Sequence, residues 1–398
     1  MNKSTSSRWS VIGLALLLGV FSTLGPFTID MYLPAFPEIA KDFGTNASLV
    51  QFSLTACLLG LGIGQLIVGP LSDAYGRRRP LLIAMIGYVV FSLACAYSPN
   101  IGMLIAFRFA QGFAASAGIV ISRAMARDLY SGHELTKFFS MLLLVGNLGP
   151  LVAPIAGSGV LTFSTWPGVF VSLAILGVFL YVMTQFRLKE TNPPERRVSP
   201  NFKEQLRNYG MLLRDRKFVG YMLAQGIMTA GVFAYVAGTP FIYQNIYGVT
   251  PAVFSILFAS NGVSLIIGSQ IVGRMSHRIS EQKLLLVGLW LALISSIVVV
   301  GVTIVEGPLF ALVAPLFVFV CSIGITSTAS FPLAMESQAK NAGSAAALLG
   351  LIPFVLGALV APVVGIAGED TAVPLGITLM ATSLVALGTY FLLVKKAE

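Results

Sequence analysis

Long apolar runs alternate with short polar breaks along the chain, and the length of the runs decides the reading. Windows of about 20 apolar residues, enough for a helix to cross a hydrocarbon core, recur twelve times. They lie near 10–34, 47–71, 80–98, 101–123, 137–162 and 167–187, then near 218–245, 251–273, 283–304, 309–333, 343–367 and 373–394. Helices of that length satisfy their own backbone groups in lipid, so the pattern predicts an all-α membrane protein with twelve transmembrane helices. The first run follows a basic lead, but it is too long for a signal peptide and no small-residue cleavage pattern closes it, so a retained span is expected.

Composition agrees: 56% of residues are hydrophobic and 10% charged, against about 25% charged in soluble domains. A water-soluble fold is excluded. The formal charge of +9 would suit a nucleic-acid binder, yet no segment between spans is long enough to present a basic domain face. Its placement explains it instead. With both termini cytoplasmic, the inside segments hold Lys3, Arg8, Arg77, Arg78, Arg79, Arg123, Arg127, Lys137, the cluster from Arg187 to Lys217, Arg274, Arg278, Lys283, Lys340, Lys395 and Lys396. The opposite face keeps Lys41 alone. That is the positive-inside pattern of a multi-pass protein of the cytoplasmic (inner) membrane.

Cys57, Cys95 and Cys321 all fall in apolar stretches without paired spacing, which gives neither a disulfide framework nor a metal site. His133 and His277 are too separated to form a metal or catalytic pair. No G-x-x-x-x-G-K-[ST] loop is present, so direct ATP use has no support. The expectation is no cofactor and no metal, with an ion gradient as the energy source.

The only long polar stretch, Arg187 to Lys217, divides the chain into a first six-helix bundle (1–187), a central linker (188–217) and a second bundle (218–398). Pro193 and Pro194 break helix there, while Asn201 to Arg216 predicts an amphipathic helix lying on the inner leaflet. The halves repeat: LGPLVAPIAG at Leu148–Gly157 recurs as LGALVAPVVG at Leu356–Gly365, displaced by 208 positions. Shorter matches, Ala124–Met125 with Ala334–Met335 and Gly69–Ser72 with Gly273–Ser276, give nearby shifts. Two pseudo-symmetric bundles follow, with a substrate site between them near mid-membrane, reached alternately from each side.

After the second span comes GPLSDAYGRRRP, Gly69–Pro80. Gly69 and Gly76 allow tight turns, Asp73 offers a carboxylate at the helix exit, and Arg77, Arg78 and Arg79 face the anionic leaflet. The run resembles the loop signature of the major facilitator superfamily, G-x-L-a-D-r-x-G-r-r-x-x-l. Simple anchoring of the loop is the plainer alternative. IDMYLP at Ile29–Pro34, RFAQG at Arg108–Gly112 and the pair Gly149 and Pro150 narrow the resemblance to drug:proton antiporters with twelve spans, most like the bicyclomycin and chloramphenicol resistance branch. The resemblance implies the major facilitator fold. It places Asp73 against the start of the eleventh span, near Asn341 to Ser344, where a helix dipole favours negative charge, and allows Arg77 to pair with Asp128. The matching acid position of the second half is His277, a degenerate copy.

Asp30 and Arg108 are the charges placed within apolar spans, where an ionisable group costs about 2.5–3.5 kcal/mol on insertion scales and usually marks a pathway or proton relay. At about 1.5 Å per residue, Asp30 falls near the outer edge and Arg108 roughly 10 Å below it. Asp30 reads either as an acid on the lip of its span or as a protonatable carboxylate facing a cavity, and the second is preferred. Arg108 either snorkels to the headgroups or, as the resemblance implies, takes part in proton coupling, with Gln111 and Gly112 completing its motif. Several relatives carry a second acid about two turns before Asp30; Ser22 stands there in this chain.

In the fifth span Gly146, Gly149, Pro150, Pro154 and Gly157 are either a packing kink or, by resemblance, the antiporter element that favours export. Gly60, Gly62, Gly64 and Gly69 read as close packing. Phe27, Tyr32, Gln225, Tyr235, Asn261 and Gln270 are candidate cavity lining, with ordinary packing as the alternative for each. The reading is a monomeric transporter, not an enzyme, that exports lipophilic or amphipathic small-molecule drugs in exchange for protons, with membrane lipid as its surroundings and no nucleic-acid partner. Its rivals are a proton-coupled uptake symporter on the same fold and, more remotely, a membrane-embedded enzyme or sensor.

Overall fold

The computed structural model describes residues 8–197, 202–336, 338, 342–366 and 371–395; Lys3, Lys340, Asn341 and Lys396 lie outside them. No strand occurs among the described residues, and twelve of their helices are long and apolar enough to cross a membrane. The first bundle holds α1 (Arg8–Asp30), the short α2 (Phe36–Asp42), α3 (Ala47–Tyr75), α4 (Arg78–Ala96), α5 (Ile101–Leu129), α6 (Gly132–Leu161) and α7 (Trp166–Arg187). A linker with the short α8 (Phe202–Leu212) leads to α9 (Arg216–Phe241), α10 (Pro251–Met275), α11 (Glu281–Ile304), α12 (Leu309–Met335), α13 (Ala342–Val360) and α14 (Val373–Thr389). Both described chain ends come to one side, called the termini face below; the opposite side is the far face.

The first span runs to Asp42, past the end at 34 that the apolar run predicts. Pro34 has no N–H to offer the Asp30 carbonyl, so α1 stops there. A 3₁₀ turn, Leu33–Ala35, follows, and Pro37 in the first turn of α2 restarts the helix. Glu38, Lys41 and Asp42 hide this continuation from a hydropathy reading. Asp30 therefore sits well inside its span, not at its outer edge. In the linker, the described helix Phe202–Leu212 stops short of Arg216, because the Asp215 carboxylate accepts the N–H groups of Lys217 and Phe218 and starts α9 instead.

Within the first bundle α3 and α5 pack backbone to backbone. A Cβ at Gly60 would strike the Phe109 carbonyl, and one at Gly112 the carbonyl of Cys57. The second bundle repeats the device between α10 and α12, where Gly268 and Gly324 lie against the carbonyls of Cys321 and Leu265. With lipid as apolar as the side chains, such close van der Waals fit is what holds helices together. Gly62 is turned instead towards Leu351 and Phe354 of α13, and Gly69 towards Val120.

The bundles meet along two seams, α3 on α13 and α6 on α10, with α2 and the 33–35 turn resting on α9. Thr55 reaches Ala358, Ser255 reaches Pro154, and Phe36 packs on Phe241 with ring centroids 5.8 Å apart. These contacts lie in the far half, so this conformation is closed at the far face. In thermal unfolding of the purified protein, Gly112→Ala should lower the midpoint, costing about 1–3 kcal/mol as overpacking does. Gly301→Ala, at a helix position with open space around it, should leave it unchanged.

Candidate functional site

Arg108 is fully buried, which removes the snorkelling alternative. Asn100 caps the start of α5 by accepting the Met103 N–H, and the helix carries Arg108 two turns down, facing α1 and α4. Its Nη1 donates to Gln111 Oε1 at 2.6 Å and its Nη2 to the Thr28 carbonyl at 2.8 Å. Gln111 in turn donates from Nε2 to Ser92 Oγ at 2.8 Å, and the Thr28 hydroxyl pairs with the Tyr88 hydroxyl at 2.8 Å. The guanidinium carbon stands 4.1 Å from the Tyr32 ring centroid and 5.6 Å from that of Phe170. A desolvated cation over an aromatic face gains about 2 kcal/mol, and hydrogen bonds to charged groups contribute about 1.5–3 kcal/mol each. Neutral groups thus hold a permanent charge, and Nε has no hydrogen-bond partner.

Asp30 is 5% exposed and is the only acid among the buried described residues. No ion pair joins it to Arg108, although Arg108 grips the carbonyl of Thr28 only two residues away. Tyr32 lies under the guanidinium, its hydroxyl 3.2 Å from Ser53 Oγ. Across the bundle boundary Tyr235, buried in α9, accepts a hydrogen bond from Asn261 Nδ2 at 2.7 Å and stacks on Phe258 at 5.4 Å. Asn261 Oδ1 is buried without a hydrogen-bond partner, and so is Oε1 of the half-buried Gln225. Phe27 is half-buried in α1. Gln270 is not brought to this group: the helical period puts it on the exposed stripe of α10 with Ile256, Val263 and Ile267. Ser22 meets Ser122, hydroxyl to hydroxyl, at 2.9 Å.

On α6 the glycines around Pro150 and Pro154 lie against α1 and the residue that follows it. A Cβ at Gly149 would come 2.8 Å from Pro26, and one at Gly157 would strike the Met31 carbonyl. Pro150 and Pro154 sit inside a helix that continues to Leu161. At the termini face Arg77 donates from Nη1 to Asp73 at 2.5 Å and to Ser72 Oγ at 2.8 Å, and from Nε and Nη2 to the Asp128 carboxylate at 2.9 and 3.3 Å.

The sequence profile described as Major Facilitator Superfamily matches residues 15–362. The chain belongs to that superfamily. It is 51% identical over 387 residues to the "Uncharacterized MFS-type transporter YdgK" of Bacillus subtilis (strain 168), covering 97% of this chain and 96% of that one. It is 31% identical over 381 residues to the "Bicyclomycin resistance protein homolog" of Haemophilus influenzae, covering 96% of each. Among solved structures, the D-xylose-proton symporter superposes with a TM-score of 0.77 at 14% identity over 98% of each chain, which shows the fold alone. The chain is a multi-pass transporter and not an enzyme.

The superfamily loop is held by the expected pair of Arg77 with Asp128 and also by residues beyond α7 that the sequence did not point to. The Asp73 side chain is 55% exposed and pairs within its own bundle; Asn341 is not described, and Gly343 at the start of α13 has open space around it. What closes the loop is Glu190, just past α7. Its carboxylate accepts the N–H groups of Arg77 at 2.8 Å, Arg78 at 3.1 Å, Thr191 at 3.0 Å and Asn192 at 2.9 Å. It thereby caps the start of α4, where four N–H groups lack helical acceptors. Gly76, at φ 86°, has no room for a Cβ beside Glu190 and Arg197. Arg78 donates to the Gln185 carbonyl at the exit of α7 at 2.6 Å, Asn192 to the Asp73 carbonyl at 3.0 Å, and Thr191 to Asp128 at 2.8 Å. The only hint in the sequence is a lone acid immediately after a span.

Partial burial opposes the Glu190 charge, but the N–H groups of Arg77, Asn192 and Arg78 and the nearby Arg197 hold its pKa below the ordinary glutamate value. A depressed value means that its stabilisation is complete above the usual range, about 4.3, and is lost as pH falls through the folded value. Glu190→Gln should therefore speed hydrogen exchange in peptides spanning 76–80 at pH 7, and the gap to wild type should narrow towards pH 4. Equal protection at pH 7 would rule out this charged cap.

Proposed function

We propose that this transporter exports lipophilic or amphipathic drugs in exchange for protons, acting as a monomer in the cytoplasmic membrane with its termini face towards the cytoplasm. The observation that carries the reading is Asp30: a buried carboxyl at the break of α1, joined by no ion pair among the described residues and close to the bundle boundary. A carboxyl locked in an ion pair cannot release and regain a proton cheaply, whereas this one is free to do so. The bicyclomycin-resistance relative supplies the cargo class, and the basic residues gathered on the termini side supply the orientation.

In this cycle a proton arriving from the far side neutralises Asp30 and favours the form open to the cytoplasm. Drug entering from the cytosol or inner leaflet displaces it. Each ligand biases the two-state equilibrium only through its differential affinity, so drug and proton compete. Arg108 keeps α1, α4 and α5 in register, while Phe27, Tyr32, Gln225, Tyr235 and Asn261 line the cargo path. The energy source is the proton gradient, with no cofactor.

The test is reconstitution in liposomes with an imposed pH gradient and a panel of antibiotics, bicyclomycin included, and dyes. Wild type should accumulate at least one drug against its gradient, Asp30→Asn should lose the dependence on the pH gradient, and Arg108→Ala should lose transport altogether. Equal pH-driven transport by all three proteins would sink the assignment. Cargo moving in the same direction as protons would favour uptake by symport.

A further inference from the structure

Four hydrogen bonds among the described residues cross from one bundle to the other. Gln51 Nε2 donates to the Ala237 carbonyl at 3.1 Å, Thr55 Oγ1 to that of Ala358 at 3.2 Å, Gln244 Nε2 to that of Pro34 at 3.1 Å, and Ser255 Oγ to that of Pro154 at 2.8 Å. Each runs from an uncharged side chain to a main-chain carbonyl, and each lies towards the far face. The Thr55 bond has a further property. Residue 362 is proline, so the Ala358 carbonyl lacks the N–H that a helix would offer four residues on. An unpaired carbonyl at membrane depth is costly, and Thr55, from the opposite bundle, satisfies it.

Ala358 and Pro362 belong to LGALVAPVVG, the second copy of the internal repeat, and Pro154 belongs to the first copy, LGPLVAPIAG. Each copy thus receives a hydroxyl from the other bundle. In α13 the repeat leaves α-helical form at Val360 and continues as a 3₁₀ turn, Ala361–Gly365, with Gly365 tight against Gln51 and Ser48 of α3.

We infer that Thr55 is a gate-positioning residue: its hydroxyl, by satisfying the carbonyl that Pro362 leaves open, holds α3 against α13 and biases the transporter towards closure at the far face. Ser255 differs: its hydroxyl is shared between the carbonyls of Pro154 and Pro251, and Ser158 supplies the N–H four residues after Pro154 within α6. A bond made in one conformation alone shifts the equilibrium by its net value, which for a neutral hydrogen bond is about five-fold. When the far gate opens, incoming water takes over the Ala358 carbonyl.

Hydrogen exchange of the full-length protein in lipid nanodiscs, without cargo or gradient, tests this independently of the drug and proton reading. Thr55→Val keeps the side-chain shape and removes the hydroxyl. Pro362→Ala supplies the missing N–H and withdraws the acceptor from Thr55. Each should raise exchange about five-fold in peptides spanning 47–58, with termini-face peptides spanning 76–80 unchanged and Thr55→Ser matching wild type. The double variant should exceed neither single one, because both changes delete the same bond. Wild-type exchange at 47–58 in both single variants overturns the inference, and so does an additive double variant. If Thr55→Val does not fold, Pro362→Ala alone, read at 47–58 on the other helix, decides the question.

Discussion

A permanent positive charge buried in the first bundle is the constraint from which the rest of the site follows. An arginine cannot give up its proton at any ordinary pH, so Arg108 has to be solvated where it stands. The chain does this with neutral groups: a glutamine, a main-chain carbonyl and two aromatic faces. Ser92, Gln111, Thr28 and Tyr88 extend the solvating network through α4, α5 and α1. Asp30 is left out of it, and no ion pair joins its carboxyl to the arginine.

The two ends of the molecule are fastened by different physics. At the termini face Arg77, Asp73, Asp128 and Glu190 form a charged cluster within one bundle and its linker, tying together the ends of α3, α4, α5 and α7. At the far face the two bundles are joined by neutral donors on carbonyls and by glycine-lined seams. Neutral bonds carry small net energies because water replaces them readily. Such a gate can open without stranding a charge in lipid.

The polar groups between these ends are arranged unequally. The first bundle holds Asp30 and Arg108, while the second offers Tyr235 with the unpartnered oxygens of Asn261 and Gln225. Where relatives carry another acid, Ser22 and Ser122 bond to each other. Among the described residues the buried charged groups within the spans are therefore Asp30 and Arg108, and the opposite wall presents hydrogen-bonding groups without charge.

The sequence alone determined the spans, the likeness to the superfamily and the identity of the charges placed in the membrane, because each is written in runs of side chains. Apolar length fixes a span and the Gly69-x-x-x-Asp73 run marks a loop, whatever lies around them. The extent of the first span escaped, since Glu38, Lys41 and Asp42 break its hydropathy although Pro37 restarts its helix. Only the tertiary structure decided that Arg108 is solvated without a carboxylate, that Gln270 faces outward, that Glu190 caps α4 from beyond α7, and that Thr55 meets Ala358. Those facts depend on which backbone carbonyls and N–H groups come within reach of distant side chains, and every residue carries the same backbone groups, so the order of amino acids leaves almost no trace of them.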